Sequence, residues 1–204
     1  MWKHFTESAR RVVLLGQEEA GKRHALSTDT PHLLLGIFAV DEAQIFGLLH
    51  AAGVDANATK QNALMMADKT ASTHTGEPKL SDDGKQSFTF AIEEVRGLQH
   101  KTIDVEHLLL GLLRMDEERG TLFLKPYGAQ LETMRATVDR AIKSQQENAD
   151  CSALLRLLER RPDLLVEILG VSEKSLPMAK LRLLLRLNRN VEAEQLKREI
   201  ESQI

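Results

Sequence analysis

The feature that most constrains this fold is an internal repeat. Residues 5–67 align with residues 80–142 at a constant offset of 75 positions and without a gap. Twelve of the 63 aligned positions are identical, and five of them form one block, His-Leu-Leu-Leu-Gly, at His32–Gly36 and His107–Gly111. Self-similarity at a fixed period indicates one structural unit written twice. We call residues 5–67 repeat one and residues 80–142 repeat two, and we call two residues 75 positions apart twins.

Each repeat is predicted to contain four helices. Thr6 and Ser81 are N-cap candidates at the start of each copy, and Gly53 and Gly128 are candidates for the glycine that follows a helix C-terminus. Gly76 and Pro78 mark residues 70–79 as the linker between the copies. The predicted first, third and fourth helices are 7–23, 45–52 and 56–68 in repeat one, and 82–98, 121–127 and 131–144 in repeat two. The second helix carries Leu33–Leu35, Ile37 and Phe38 in one copy, and Leu108–Leu110, Leu112 and Leu113 in the other.

The composition favours an all-α fold. Only 12 glycines and 5 prolines occur in 204 residues, aromatic residues make up 4%, and no stretch shows the alternation typical of strands. We therefore predict a tandem pseudo-twofold repeat of two four-helix units over residues 1–144. A small helical C-terminal region is predicted to follow over residues 145–204.

The C-terminal region has its own leucine-rich pattern. Asp150 is a candidate cap for a helix that ends near Arg161, and further helices are predicted over 163–169, 178–187 and 191–203. Apolar residues, mostly leucines, cluster on the first three of these helices, so the region must bury them internally, against the repeats, or in a homodimer contact. Leu164–Ser175 also has the spacing of a helix-turn-helix, which leaves DNA binding by a transcription regulator as an alternative function, although Pro177 would interrupt the recognition helix.

Composition also limits location and partners. One cysteine, Cys151, excludes an internal disulfide framework, and the formal net charge of −3 argues against a strongly basic nucleic-acid binder. No apolar run reaches the length of about 18 residues that a membrane span needs. We expect a cytoplasmic protein without a membrane segment.

No catalytic, cofactor or metal site is predicted. Residues 16–23 resemble a phosphate-binding loop, but Arg23 stands where a Mg²⁺-binding hydroxyl is required. His32 and His107 have no histidine or cysteine three or four positions away, so they are interpreted as hydrogen-bonded helix-start residues. The protein is expected not to be an enzyme and to need no cofactor.

The repeated motifs carry a family resemblance. Phe5–Val13, Gln17–Ala20 and His32–Ile37 in repeat one, and Asp104–Leu113 in repeat two, resemble the N-terminal domain of Clp unfoldases of the ClpC and ClpB kind. The resemblance covers residues 1–143. It implies two four-helix units that bind adaptors and client proteins and pass them to a Clp-type AAA+ ATPase. Because the chain stops at residue 204, we expect a free-standing N domain that acts as an adaptor, decoy or modulator.

The same resemblance implies one candidate site residue. In ClpC-like members, the glutamate before the His-Leu-Leu-Leu-Gly block is implicated in binding the guanidinium part of a phosphoarginine tag. Glu106 matches that position in repeat two, whereas repeat one has Pro31 there. A carboxylate pairs well with a guanidinium group. The alternative is that Glu106 only complements the dipole of its helix.

Overall fold

A computed structural model describes residues 2–119, 124–160, 172 and 175–202, and within these residues the chain is almost entirely helical. The two strands, β1 (Ser27–Thr28) and β2 (Lys79–Leu80), have two residues each. The α-helices are α1 (Glu7–Lys22), α2 (Thr30–Val40), α3 (Glu42–Ala51), α4 (Ala56–Asp68), α5 (Asp82–Gly97), α6 (Val105–Arg119), α7 (Leu131–Arg160), α8 (Leu176–Arg186) and α9 (Asn190–Glu201).

The predicted all-α double repeat is confirmed. The observed bounds of α1, α4 and α5 lie within one residue of the predicted ones. Thr6 and Ser81 act as the expected N-caps, since their hydroxyl oxygens accept the backbone N–H of Ala9 at 3.2 Å and of Gly84 at 3.0 Å. Gly53 and Gly128 have φ angles of +75° and +93°, the left-handed conformation that a glycine adopts without strain.

Several predicted helices differ from the structure. α3 begins at Glu42, three residues before its predicted start, and the helix predicted over 163–169 lies outside the described residues. The predicted helix over 121–127 lies partly outside the described residues, and Lys125–Tyr127 form one 3₁₀ turn. The predicted helix end at Ser144 is wrong, because α7 continues to Arg160 and Asp150 lies inside it. Asp150 was predicted to be an N-cap, but an aspartate does not break a helix that has no proline or glycine near it. The division of the chain at residue 144 stays a prediction.

The chain forms two compact units, Met1–Arg140 and Ala141–Ile204. In the first unit, the core comes mainly from the central helices α2 and α6, whose leucines are almost fully buried. These helices are covered by α1 and α4 in repeat one and by α5 in repeat two. Helices buried on most of their circumference have a long apolar run rather than a narrow stripe.

The glycine of the His-Leu-Leu-Leu-Gly block allows two helices of each repeat to approach closely. A β-carbon on Gly36 of α2 would clash with the Val12 carbonyl oxygen of α1 and would lie 2.9 Å from the nitrogen of Gly16. Gly111 of α6 meets the twin carbonyl oxygen, that of Ser87, in the same way. The glycine of the repeated block is therefore required by packing.

The histidine of the block caps its own helix. His32 Nδ1 accepts the backbone N–H of Asp29 at 3.1 Å, and His107 Nδ1 accepts that of Asp104 at 3.0 Å. This is the reciprocal half of a capping box, which satisfies a backbone donor at the helix start. The interpretation of both histidines as hydrogen-bonded helix-start residues is confirmed.

The two repeats are joined by a reciprocal exchange of extended segments, which we call the seam. At one end, Thr28 of repeat one pairs with Leu80 of repeat two in a parallel arrangement, and at the other end Phe5 forms a parallel bridge with Ile103. Phe5 and Leu80 are twins, as are Thr28 and Ile103. Each repeat therefore pairs the segment before its first helix with the loop before the other repeat's second helix.

The second unit has a small apolar core of its own. Leu155, Leu184 and Ala193 are each 1% exposed, and parts of Leu181, Leu183, Leu187 and Leu196 pack against them. Other large apolar side chains of this unit stay exposed, most of all Val191 at 84% and Leu185 at 52%. The homodimer contact predicted through these helices stays a prediction.

The helix-turn-helix alternative lies almost wholly outside the described residues. Only Ser172 and Ser175 of the segment 164–175 are described. Pro177 is in the first turn of α8, where a proline is tolerated, and not in a helix interior as predicted. The arginines after it lie on an exposed face, and Arg186 and Arg189 pair with Glu147 and Glu192.

Replacing the packed glycine tests the close helix approach. Gly111→Ala is expected to destabilise the protein by about 1–3 kcal/mol, because the new methyl group forces α5 and α6 apart. Gly47→Ala is the matched control, since a β-carbon there meets no atom within 4 Å and α3 is exposed at that point. The control should gain about 0.5–1 kcal/mol of stability. Chemical denaturation measures both, and equal effects of the two variants would contradict the packing role.

Candidate functional site

Glu106, the residue singled out from the sequence, lies where the two repeats meet. It is the second residue of α6 and is only 3% exposed. Its Oε1 accepts a 2.5 Å hydrogen bond from the side-chain amide of Gln44, which belongs to α3 of repeat one. The twin of Glu106, Pro31, is buried in α2 and has no side-chain acceptor. The structure therefore places one carboxylate at this inter-repeat position and none at its twin.

Burial dominates the electrostatics of this carboxylate. Loss of hydration raises the pKa of Glu106 above its ordinary value, and the nearby carboxylates of Asp104 and Asp41 act in the same direction. The backbone N–H of Glu106 and the amide of Gln44 act against them. A buried carboxylate whose donors are both neutral gains from a cationic donor. Gln44 itself is an exposed residue, so its side chain can move away without uncovering a core.

A histidine pair near the end of α5 forms a second polar cluster, which sequence reasoning missed. His107 Nε2 lies 2.8 Å from His100 Nδ1, and His100 Nε2 lies 3.3 Å from Asp139 Oδ1 of α7. Burial lowers the pKa of His107 to about 4, and the neighbouring imidazole of His100 adds to that shift. The only signal in the sequence is that the twin of His100 is Ala25.

Charged residues of repeat two surround the buried carboxylate of Glu94. Arg135 donates two hydrogen bonds of 2.5 Å to its two oxygens, which raises the pKa of the guanidinium. Arg114 lies 3.6 Å from the same carboxylate and 4.4 Å from the centre of the Phe90 ring. These groups satisfy one another, so the cluster is structural.

The outer surfaces of the two repeats differ in character. Leu14, Leu26 and Met65 of repeat one are exposed by 59%, 72% and 51%. Their twins in repeat two are also exposed, but they are polar or charged: Thr89, Lys101 and Arg140. The same positions of the fold thus present apolar groups on one copy and hydrophilic groups on the other. We call the three apolar residues the exposed triad.

Among the described residues, no three histidine, cysteine, aspartate or glutamate side chains are grouped as metal ligands. No single described helix is both long and apolar enough to cross a membrane, and α2 and α3 meet that test only together, as a pair bent by 109°.

Comparison with known proteins identifies the family. The family model of the Clp repeat (R) N-terminal domain matches residues 4–127, which include both His-Leu-Leu-Leu-Gly helices and the seam between them. The chain belongs to this family.

Curated relatives of this Clp N-domain are much longer proteins. The ATP-binding subunit ClpA homolog of the ATP-dependent Clp protease from Cyanidium caldarium is 30% identical over 151 residues, which are 72% of this chain and 17% of the relative. The chloroplastic chaperone protein ClpC2 of Arabidopsis thaliana is 29% identical over 147 residues, 72% of this chain and 15% of the relative. The chain spans less than a fifth of the length of these relatives.

Solved structures show the same fold. The N-terminal domain of the caseinolytic protease associated chaperone ClpD from Arabidopsis thaliana superposes with a TM-score of 0.53 at 24% identity, covering 70% of this chain and 97% of that one. The Hsp104 N-terminal domain from Candida albicans gives a TM-score of 0.56 at 18% identity, covering 66% and 89%. Both matches support the all-α double repeat of the Clp N-domain.

Replacing Glu106 tests the electrostatic description. Its pKa is higher in the folded than in the unfolded chain, so folding is penalised as the pH rises through the folded-state pKa. Glu106→Gln keeps the shape and removes the charge, so the variant should be more stable than the parent at pH 7. The difference should vanish below about pH 4, where the side chain is protonated in both states.

Thermal or denaturant unfolding at a series of pH values measures this difference. Glu77→Gln, at an exposed position of the linker, is the matched control and should leave the pH profile unchanged. A Glu106→Gln variant that is less stable than the parent at pH 7 would contradict a net penalty from burial.

Proposed function

We propose that this Clp N-domain protein is a non-enzymatic binding module that recognises client or adaptor proteins of a Clp chaperone-protease system. Its partners would be a Clp-type AAA+ ATPase, its adaptors or its clients, and its role would be that of an adaptor, decoy or modulator. The observation that carries the proposal is the family match over both repeats. The location that we predict, the cytoplasm, stays a prediction.

The exposed triad is the surface that we propose for protein contact. Leu14, Leu26 and Met65 lie outside the core of repeat one, so burial within the unit does not explain their apolar character. Repeat two demonstrates that the same fold accepts Thr89, Lys101 and Arg140 at the twin positions. We propose that a bound protein covers these three side chains.

Exchange of the triad for its twins gives a direct binding test. The variant Leu14→Thr, Leu26→Lys, Met65→Arg takes each residue from the other copy, so folding should be retained. Immobilised parent chain is expected to retain a Clp ATPase, one of its adaptors or aggregated client protein. The variant should bind more weakly, by about fivefold or more for each contact residue that costs about 1 kcal/mol.

The matched control alters the same positions of repeat two. Thr89→Ala, Lys101→Ala, Arg140→Ala should bind as the parent does. No retention of ATPase, adaptor or client by the parent chain would refute the proposed function. Equal binding by the parent and the triad variant would refute only the proposed surface.

We further propose that Glu106 forms a pocket for the guanidinium part of a phosphoarginine tag. Its support is a buried carboxylate whose side-chain partner is the amide of an exposed glutamine, Gln44. A guanidinium presents similar N–H donors together with a positive charge, so it can replace that amide and neutralise the carboxylate. Pro31 at the twin position offers no acceptor, so the proposal is for one pocket.

Calorimetry with phosphoarginine measures this pocket. The expected stoichiometry is close to one for each chain, and Glu106→Ala should weaken binding by about 1.5–3 kcal/mol, the range of a charge-assisted hydrogen bond. Glu118→Ala, at an exposed position of the same helix, is the control and should bind normally. Two equal sites, or unchanged affinity of the Glu106 variant, would contradict the pocket.

A further inference from the structure

The histidine pair of repeat two forms a chain of hydrogen bonds in which each proton has one allowed place. His107 Nδ1 accepts the backbone N–H of Asp104 at 3.0 Å, so the proton of the neutral ring is on Nε2. That proton points at His100 Nδ1, 2.8 Å away. His100 Nδ1 is therefore an acceptor, and its own proton is on Nε2, directed at Asp139 Oδ1 at 3.3 Å.

An additional proton on His100 breaks this chain. A protonated imidazole has hydrogen on both nitrogens, so Nδ1 of His100 can no longer accept from His107. If the His107 proton moves to Nδ1, His107 Nε2 can accept from His100 and the bond between the rings is restored. The Nδ1–H of His107 then faces the backbone N–H of Asp104, and that hydrogen bond is lost. Every arrangement of the charged pair loses one hydrogen bond, either between the histidines or at the cap of α6.

Burial lowers the pKa of His107 and so disfavours a proton on that ring. His107 is 1% exposed, and burial outweighs the attraction of the Asp104 and Glu94 carboxylates. His100 is the more exposed ring and faces the carboxylate of Asp139. A charged His100 interacts more strongly with the Asp139 carboxylate of α7, and it loses its hydrogen bond with His107 of α6.

The segment between the two histidines also forms one end of the seam. The backbone N–H of Ile103 donates to the His4 carbonyl at 2.8 Å, and that of Thr6 donates to the Ile103 carbonyl at 2.9 Å. The Thr6 hydroxyl, which caps α1, donates to Asp104 Oδ1 at 2.8 Å. Movement of this segment therefore changes both the bridge to repeat one and the cap of α1.

The other end of the seam has no such pair. The twins of His100 and Asp139 are Ala25 and Leu64, neither of which titrates. His32, the twin of His107, has its Nε2 3.1 Å from the Thr70 hydroxyl, and that hydroxyl donates to the Ala67 carbonyl at 2.7 Å. The two ends share one backbone arrangement, but one has the hydrogen-bonded pair His100–His107 where the other has Ala25 and His32.

We propose that His100 and His107 form an acid-sensitive latch on one end of the seam. Proton uptake by His100 releases the segment 101–104 and loosens the Phe5–Ile103 bridge, whereas the Thr28–Leu80 end stays closed. Mild acid thus opens one junction between the repeats and leaves the other intact.

Site-resolved hydrogen exchange of the full chain tests the latch. After correction for intrinsic rates, protection of the Thr6 and Ile103 amides should fall about tenfold between pH 7.5 and pH 5.5, because the closed segment loses one hydrogen bond when His100 is charged, and a loss of about 1.4 kcal/mol is tenfold. The Ser81 amide, which donates to the Thr28 carbonyl at the other end, should keep its protection. An equal fall at Ser81, or no fall at Thr6 and Ile103, would overturn the proposal.

Two variants separate the latch from general acid instability. His100→Gln keeps a donor and an acceptor but cannot be charged, so Thr6 and Ile103 should keep their protection at pH 5.5. His4→Gln removes the exposed histidine of the adjoining segment and should leave the tenfold fall unchanged. A fall that persists in His100→Gln, or that disappears in His4→Gln, would assign the pH response to another group.

Discussion

The close approach of two helix backbones in each repeat is the contact on which this domain depends. Gly36 and Gly111 lie against the carbonyl oxygens of Val12 and Ser87, so the two helix backbones approach more closely than a β-carbon would allow. The leucines that precede each glycine are then buried in the core. The histidine at the start of the same block caps the helix at its required first turn. Five consecutive residues thus specify the start, depth and buried surface of the central helix.

Identical residues nevertheless perform different tasks in the two copies. Asp41 accepts the backbone N–H of Gln44 and caps α3, whereas its twin Asp116 lies inside the longer α6 and accepts the N–H of Leu124. Glu19 pairs with Lys22 and Arg23 near the surface, but Glu94 is buried beneath Arg135. The duplication preserved the packing of the central helices, and the periphery of each copy changed around it.

Local chemistry explains which features could be predicted from the sequence. Caps, turn glycines and apolar runs act over three or four residues, so the bounds of α1, α4 and α5 and the role of His32 follow from neighbours in the chain. The continuation of α7 past Ser144 was missed because Asp150 is compatible with a helix interior as well as with an N-cap. Gln44 and Glu106 are 62 positions apart, and the bond between His100 and His107 depends on where α5 ends. Only the folded backbone brings such groups together. The sequence therefore predicted Glu106 as a site residue but not its hydrogen bond with Gln44.

The reciprocal seam has a consequence for how such a domain can arise. Each repeat completes the other by the same pair of extended contacts, so the arrangement obeys the rule of an isologous dimer, in which one patch serves both partners. A single ancestral repeat would meet those requirements by binding a second copy of itself. The linker then replaces an encounter between molecules with a local concentration in the millimolar range, at which association no longer depends on abundance. Once the partner is guaranteed, symmetry is no longer needed, and one half is free to acquire a carboxylate or a histidine that the other lacks.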